Sequence, residues 1–265
     1  MLLSLVYINC DYLQAQTTIP RFEEGERVVF VGNSITHGGH YHSFIWLYYM
    51  TRFPNMPIRV FNGGIGGDTA YDMNKRLDGD IFSKNPTVLM VTFGMNDSGY
   101  YEYNGDNAKE FGEQKYQESI KNFQQMEKRF KELPHTRIVM TGTSPYDETA
   151  QIKDNTVFKK KNETIKRIIE YQRESAARNG WEFTDWNAPM VAINQELQQK
   201  DPSFTLCGND RIHPDNDGHM VMAYLFLKAQ GFAGKDVANM EINANKKQAV
   251  KAEGCTISNI KKIGK

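Results

Sequence analysis

Short β-branched segments alternate with longer amphipathic segments from Arg27 onward, and this alternation constrains the fold more than any other feature of the chain. Five apolar runs are predicted strands: RVVFVG, PIRVFN, PTVLMVTFG, TRIVMTGTSP and WEFTDW. The predicted helices are HSFIWLYYMTRF, TAYDMNKRLDGDIF, QKYQESIKNFQQMEKRFKEL, VFKKKNETIKRIIEYQRESAARNG and DGHMVMAYLFLKAQG. Strands that alternate with helices indicate a mainly parallel sheet of about five strands, and the apolar character of these strands indicates burial on both faces.

The chain is predicted to contain one α/β domain over residues 21–234. No internal repeat and no linker rich in proline or glycine interrupts the pattern before about Gly234. Residues 235–265 differ, because they are rich in lysine and their hydrophobic residues recur with a short period. They form either a packed extension or the start of a further β segment, and their role is not predicted.

Residues 1–20 are either a secretory signal segment or an N-terminal extension. The apolar stretch Leu2–Ile8 is much shorter than the roughly 20 residues of a membrane span, so no stable membrane insertion is expected. Its length and the small Ala15 resemble a secretory signal, although the usual positive charges before the stretch are missing. Cys10 follows Asn9 rather than a small residue, which argues against lipid acylation. We therefore expect a periplasmic or secreted protein.

The charge balance excludes several classes of partner and site. The 32 Lys and Arg residues equal the 32 Asp and Glu residues, so the formal charge is zero and no long-range positive field would attract nucleic acid. The three cysteines include no C-x-x-C pair, which excludes a disulfide scaffold and a zinc ribbon. The fold must therefore be stabilised by packing.

Residues that could catalyse a reaction or bind a ligand cluster directly after the predicted strands. Ligands of doubly wound sheets bind at these strand ends. Three blocks follow the first three strands, and a fourth precedes the last helix. These blocks are Gly32-Asn33-Ser34-Ile35-Thr36, Asn62-Gly63-Gly64-Ile65-Gly66-Gly67-Asp68-Thr69, Gly94-Met95-Asn96-Asp97 and Asp210-Arg211-Ile212-His213-Pro214. We expect all four at one edge of the sheet.

The first and last blocks together contain the groups needed for nucleophilic catalysis. A serine hydroxyl such as that of Ser34 is a weak nucleophile unless a base takes its proton, and His213 can be that base. A carboxylate on the other ring nitrogen fixes the imidazole tautomer, and Asp210 lies three residues before His213. Pro214 biases the backbone of His213 away from the helical region, which helps to aim the ring.

The two middle blocks offer hydrogen-bond donors for the negative charge that develops when an acyl carbonyl is attacked. Gly66 and Gly67 lack a Cβ, so the backbone there can approach a substrate and present an N–H group. The side-chain amide of Asn96 is a second donor, and the backbone N–H of Ser34 is a third. Together they predict an oxyanion hole formed by the backbone N–H of Ser34, a backbone N–H at Gly66 or Gly67, and the side-chain amide of Asn96.

The four blocks, in this order, resemble the SGNH (GDSL-type) hydrolases, a family of esterases, lipases, thioesterases and carbohydrate deacetylases. The resemblance covers about residues 27–231 and implies a flavodoxin-like three-layer α/β/α fold. It implies Ser34 as nucleophile, His213 and Asp210 as base and orienting carboxylate, and Gly67 and Asn96 as oxyanion donors. The usual Gly-Asp-Ser of the family reads Gly-Asn-Ser here, and asparagine can make similar hydrogen bonds in the turn.

Other interpretations of the same blocks stay open. Ser34 could be only a helix N-cap, and Asn96 or Asp97 could cap the next helix. The loop from Gly63 to Thr69 could cradle a phosphate, which would make the chain a nucleotide-binding α/β protein, although its spacing fits neither common glycine motif. A carbohydrate-binding protein without catalytic activity is a further alternative.

The histidines outside the four blocks allow a metal site but favour none. His37, His40 and His42 are spaced H-x-x-H-x-H, and we interpret them as surface residues of the loop beside the nucleophile. His219 competes with His213 as a base, but a structural role at the start of a helix is favoured. The run 215–218 has too few oxygen ligands for calcium. No metal and no cofactor is predicted.

Aromatic residues beside the sheet edge are candidates for substrate contact. Tyr100 and Tyr101 follow the third block, where rings could stack on a sugar, and they are the predicted substrate-binding residues. Four aromatic residues in the first predicted helix or directly before it are expected mostly in the core, namely Tyr41, Trp46, Tyr48 and Tyr49. The charged face of the predicted helix Val157–Asn179 is interpreted as solvated surface.

These observations predict a serine esterase that acts through an acyl-enzyme intermediate. The favoured substrate is a short O-acyl ester, with acetyl on a carbohydrate as the first choice, so the expected partner is a small-molecule or glycan ester. A lipase or thioesterase is the alternative within the same chemistry, and it would need an apolar acyl channel. The oligomeric state is not predicted.

Overall fold

The computed structural model describes residues 19–153, 155–234 and 236–261. Contacts divide these described residues into two compact units, one that ends at Gly231 and one that begins at Phe232. Residues 1–18 of the predicted N-terminal segment, including Cys10, lie outside the described residues.

The first unit is built on a five-stranded parallel sheet. Its strands are β1 (Arg27–Gly32), β2 (Arg59–Gly64), β3 (Val88–Val91), β4 (Arg137–Gly142) and β5 (Glu182–Asp185). Their order is β2-β1-β3-β4-β5, and every pair is parallel. Both predictions, about five strands and a mainly parallel sheet, are confirmed. Because the chain adds β2 on one side of β1 and β3 on the other, the carboxyl ends of β1 and β3 border the switch point of the sheet, where ligands bind in such folds.

Seven α-helices accompany the sheet in the described part of the chain. They are α1 (Ser34–His37), α2 (His40–Arg52), α3 (Ala70–Lys75), α4 (Ala108–Lys131), α5 (Lys161–Asn179), α6 (Asn187–Gln198) and α7 (Asn216–Ala229). A π-helical turn over Leu77–Ile81 and two short 3₁₀ segments, Phe82–Lys84 and Tyr101–Asn104, lie between them. Helix α2 packs against α7, while α4 packs against α3 and α5. The arrangement is the three-layer α/β/α fold.

The core lies where the strands and the inner faces of these helices meet. All four residues of β3 are buried, and so are five of the six residues of β1, as the continuous apolar character of these segments predicts. Helix α4 buries Phe123, Met126 and Phe130 along one face. Tyr41 and Tyr49 of α2 are buried as predicted, whereas Trp46 of the same helix is 40% exposed.

Helix α5 begins later than predicted, at Lys161 rather than Val157. The backbone of Lys160 is left-handed, with φ 70°, which ends any helical path through the preceding residues. The carboxylate of Glu148 accepts the N–H groups of Lys160 at 2.8 Å and Asn162 at 2.7 Å, so it satisfies amide groups at the start of the helix. Helix α6 was not predicted, because the strand signal of β5 and the polar residues after it obscure its pattern.

The second unit contains a short antiparallel hairpin. Strand β6 (Asn239–Asn243) pairs with β7 (Gln248–Glu253), with an irregularity between Glu241 and Ile242. Residues 235–265 were interpreted as a packed extension or as the start of a β segment, and the part that the structure describes contains a β-hairpin. Among the helices that the structure describes, none is both long enough and apolar enough to cross a membrane.

Candidate active site

Ser34 lies at the carboxyl end of β1, where the strand turns sharply into helix α1. Asn33 is the N-cap of this helix, and its Oδ1 accepts the N–H of Ile35 at 3.0 Å. The substituted middle residue of the Gly-Asn-Ser block therefore makes the local turn hydrogen bond expected of it. Ser34 is the first residue of α1, so its backbone N–H has no partner within the helix and faces outward from the helix start.

Ser34, His213 and Asp210 form a continuous hydrogen-bonded chain across the sheet edge. The Oγ of Ser34 lies 2.7 Å from Nε2 of His213, although the two residues are 179 positions apart. The other ring nitrogen, Nδ1, lies 2.5 Å from Oδ2 of Asp210. The second oxygen of the same carboxylate, Oδ1, accepts the N–H groups of Ile212 and His213 at 2.9 Å each. One side chain thus holds both the ring and the backbone of its own turn.

The pKa shifts of His213 and Asp210 favour proton transfer from Ser34 to the His213 ring. The hydrogen bond that the His213 ring donates to Asp210 raises the pKa of His213 above its ordinary value, against the opposing effect of partial burial. Burial would raise the pKa of Asp210, but hydrogen bonds from the ring and from the backbone outweigh it and hold that pKa below its ordinary value. The carboxylate is therefore charged near neutral pH, and it stabilises an imidazolium formed beside it.

Arg211, within the same turn, is buried and ties this turn to the rest of the domain. Its backbone is left-handed, with φ 68°, and its guanidinium donates to the carbonyl groups of Asp147 at 3.1 Å and Ala150 at 2.8 Å. The carbonyl of Arg211 in turn accepts the N–H of Asp147 at 3.0 Å. These bonds fix the segment that carries Asp210 and His213, a role that the sequence analysis did not assign.

The glycine-rich turn after β2 lies beside the start of α1. A Cβ on Gly64 would lie 2.3 Å from the backbone N of His37, so only glycine permits this approach of β2 to α1. Gly67 has φ 85°, a backbone conformation that favours glycine. Among the described residues its N–H donates to no protein acceptor. The turn is held by Arg76, which pairs with Asp68 at 2.6 Å.

Asn96 is fixed on both sides of its side-chain amide. Its Nδ2 donates to the carbonyl of Asp68 at 2.9 Å, and its Oδ1 accepts the hydroxyl of Tyr100 at 2.5 Å. It caps no helix. The neighbouring Asp97 is buried and accepts the N–H groups of Ala70 at 2.9 Å and Gly94 at 2.9 Å. Asp97 therefore contacts the start of α3, not the start of the next helix along the chain.

These four blocks place a hydroxyl, an imidazole, a carboxylate and several N–H donors at one edge of the sheet. A model of the GDSL-like lipase/acylhydrolase family matches residues 30–221. The chain belongs to this family.

The chain is also similar to two known proteins. A structure of a gut microbial diltiazem-metabolizing enzyme is 96% identical to the chain and covers 94% of it, with a TM-score of 0.89. The chain spans only 56% of the length of that protein. Acetylxylan esterase from Geobacillus stearothermophilus is 24% identical over 224 residues, which are 78% of this chain and 95% of that one. A crystal structure of the same esterase has a TM-score of 0.63 at 24% identity and covers 79% of this chain and 96% of its own, a likeness in fold.

The histidine cluster of this GDSL-like family member differs from the prediction. His42 is buried on α2, where its Nε2 lies 3.2 Å from the carbonyl of Thr36, so its assignment to the surface is wrong. Helix α2 already begins at His40, and the ring of His42 packs against that of Phe30 in β1 at 5.1 Å. His219 is buried and stacks on His40 at a ring distance of 5.0 Å, and burial lowers its pKa to about 4. No group of three or more metal-ligating side chains occurs among the described residues.

The two tyrosines predicted to bind substrate have different surroundings in this family member. Tyr101 is 79% exposed and packs edge-on against Phe158 at 5.5 Å. Tyr100 is partly buried, its hydroxyl donates a hydrogen bond to Asn96, and its ring centroid lies 3.9 Å from Nζ of Lys161.

The charged face of helix α5 was predicted to be solvated, and this prediction is wrong for Lys161, whose side chain is fully buried. No sequence signal distinguishes it from the two lysines before it.

Proposed function

We propose that this chain is a serine esterase that hydrolyses a short O-acyl ester, in the first place an acetate ester, through an acyl-enzyme intermediate. The observation that carries the proposal is the unbroken hydrogen-bonded chain from the Ser34 hydroxyl through His213 to Asp210. Membership of the GDSL-like lipase/acylhydrolase family supports the same reaction class.

In the proposed first half-reaction, Ser34 Oγ attacks the ester carbonyl carbon while Nε2 of His213 takes its proton. The charge that appears on the carbonyl oxygen is stabilised by the backbone N–H groups of Ser34 and Gly67 and by the amide of Asn96. The bond between the carbonyl carbon and the alcohol oxygen then breaks, and His213 returns its proton to the departing alcohol. Asp210 stabilises the imidazolium throughout.

In the second half-reaction, water replaces the alcohol. His213 takes a proton from the water as its oxygen attacks the acyl carbon, and the same three donors stabilise the second tetrahedral intermediate. When the bond to Ser34 Oγ breaks, the proton on His213 returns to the serine oxygen. The products are the carboxylic acid and the free enzyme, and no metal or cofactor takes part in this scheme.

The preference for acetyl is supported by a relative that is named an acetylxylan esterase. A second relative is described as a diltiazem-metabolizing enzyme. Three crystal structures of the acetylxylan esterase are described as catalytic mutants. In them a serine, an aspartate or a histidine is replaced by alanine. These are the residue types that meet here at Ser34, Asp210 and His213. The exposed ring of Tyr101 is the proposed contact for the alcohol part of the substrate.

A fluorophosphonate probe followed by peptide mass mapping tests the nucleophile. We expect one label, on the peptide that contains Ser34, and we expect no label in Ser34→Ala or after the probe is mixed with unfolded protein. Ser83→Ala, which changes an exposed serine, is the matched control and should label fully. A folded wild-type protein that does not label would overturn the proposal and favour the carbohydrate-binding or nucleotide-binding alternative.

A chain-length series tests the acyl preference. We expect kcat/KM for aryl esters to fall steeply from acetate to butyrate and octanoate, and we expect acetate release from acetylated xylo-oligosaccharides. Rates that rise with acyl length would instead assign the chain to the lipase or thioesterase alternative.

The proposed location outside the cytoplasm rests on residues 1–20. A mature N-terminus at or after Ala15 in the fractionated native protein would support it.

A further inference from the structure

The loop that carries Asn96 is held by a charge from a different part of the chain. Lys161, the first residue of α5, is fully buried, and its Nζ donates to the carbonyl of Met95 at 2.6 Å, to Oγ of Ser98 at 2.6 Å and to the carbonyl of Gly99 at 2.5 Å. These three acceptors lie on both sides of Asn96 in sequence. All three hydrogens of an ammonium group are thereby used on a single loop.

The same ammonium group also fixes the ring of Tyr100. Nζ of Lys161 lies 3.9 Å from the centroid of that ring, within the range of a cation–π contact. The rings of Tyr146 and Phe158 pack around the site, with Phe158 edge-on to Tyr100 at 6.0 Å and stacked on Tyr146 at 5.7 Å. Tyr100 therefore has a fixed position from which its hydroxyl reaches the side chain of Asn96.

The carbonyl of Asp68 and the hydroxyl of Tyr100 together fix the orientation of the Asn96 amide. A backbone carbonyl can only accept, so the carbonyl of Asp68 requires Nδ2 on its side. The hydroxyl of Tyr100 donates to Oδ1 on the other side. Burial and the nearby negative charge of Asp210 raise the pKa of Tyr100, so this hydroxyl stays protonated and remains a donor. With one hydrogen of Nδ2 bound to Asp68, the other is oriented for a ligand.

We propose that Tyr100, held by the buried Lys161, is a positioning residue that orients the Asn96 amide as an oxyanion donor. This inference rests on the proposed function, because it assigns Asn96 to the transition state of ester hydrolysis. It changes the interpretation of Tyr100 from a ring that contacts substrate to a hydroxyl that acts through Asn96. Neither Tyr100 nor Lys161 then touches the reacting atoms.

A double-mutant cycle between Tyr100→Phe and Asn96→Ala tests the proposal. Tyr100→Phe keeps the ring and removes only the hydroxyl, and we expect kcat/KM for aryl acetate to fall about tenfold, as for one lost neutral hydrogen bond. Asn96→Ala should lower kcat about 10²- to 10³-fold, the usual effect of one lost oxyanion donor. In the double variant we expect the rate of Asn96→Ala alone, within about twofold, because the hydroxyl has nothing left to position.

Tyr116→Phe is the matched control. The Tyr116 ring also lies under a cation, with the guanidinium carbon of Arg167 4.0 Å from its centroid, but on α4 and outside the site. We expect this variant to retain wild-type kcat/KM. If the losses of Tyr100→Phe and Asn96→Ala multiply instead, or if Tyr100→Phe raises KM without lowering kcat, Tyr100 contacts substrate and the proposal is overturned.

Lys161→Met tests the second part of the proposal by removing the charge from a side chain of similar length. We expect kcat to fall at least about tenfold in the wild-type background and less than about twofold in the Asn96→Ala background, with Lys166→Met on the exposed face of α5 as control. Rates are expressed per site titrated by fluorophosphonate, so a variant that folds poorly is still measured through its folded fraction. Equal losses in both backgrounds would contradict a positioning role. Failure of the proposed function shows differently, as absent labelling of Ser34 in the wild-type protein.

Discussion

Asp210→Asn is expected to inactivate the enzyme while leaving its fold intact, because the two carboxylate oxygens of Asp210 have separate tasks. Oδ1 accepts two backbone N–H groups, and Oδ2 lies 2.5 Å from Nδ1 of His213. An asparagine can keep its carbonyl oxygen at the first position, which places its NH₂ group against Nδ1. Nδ1 must then accept a hydrogen bond, so the proton moves to Nε2 and the ring can no longer take the proton of Ser34.

The size of the effect follows from this inverted tautomer. An inverted tautomer in an otherwise intact serine triad costs about 10⁴ in kcat, or about 5.5 kcal/mol of transition-state stabilisation. The backbone hydrogen bonds are retained, so the melting temperature should stay close to that of the wild type. Asp210→Ala also loses those bonds, worth about 1 kcal/mol each, and should melt a few degrees lower.

The assay is kcat/KM for aryl acetate between pH 5 and 9, with melting temperatures of both variants. Since Asp210 raises the pKa of His213 in the wild type, the acid limb of Asp210→Asn should also move to lower pH. An Asp210→Asn variant that retains kcat within tenfold of wild type would refute the reasoning. Equal melting temperatures for the two variants would refute the separate role of Oδ1.

Three further predictions follow from the same structure. Wild-type activity should fall as the pH drops through a midpoint above 6.5, since the pKa of His213 is raised and only the neutral ring is a base; a midpoint below 6.5 would contradict this. Gly64→Ala should lower the activity and should lower the free energy of unfolding in urea by about 1–3 kcal/mol, because its Cβ would meet the backbone of His37. Gly79→Ala is the control, since a Cβ there would have no atom within 4 Å. Burial lowers the pKa of Lys161 below its ordinary value, so the folded chain gives up this proton at a lower pH than the unfolded chain does. The free energy of unfolding should therefore rise with pH through the alkaline range between the two pKa values, more in wild type than in Lys161→Met.

The sequence alone determined the sheet and the edge at which the chemistry lies. Apolar runs that alternate with amphipathic helical segments permit few arrangements other than a covered parallel sheet, and parallel strands place their carboxyl ends at one edge. This is why Ser34, Asn96 and His213 could be assigned to a common edge from their positions after or between predicted elements. The spacing of Asp210 and His213 brings both side chains to one point only if the segment between them turns, and the left-handed backbone of Arg211 makes that turn.

Only the tertiary structure decided which of the remaining polar residues support that edge. Nothing in the local pattern separates Lys161 from its neighbouring lysines, and only the packing of α5 against the loop after β3 encloses this one charge and gives it three acceptors. The burial of His42 depends in the same way on the sheet beneath α2, and the bond from Tyr100 to Asn96 depends on where the ring is held. Periodicity records which face of a segment is apolar, but the partner of a buried polar group is set by elements that are distant in sequence.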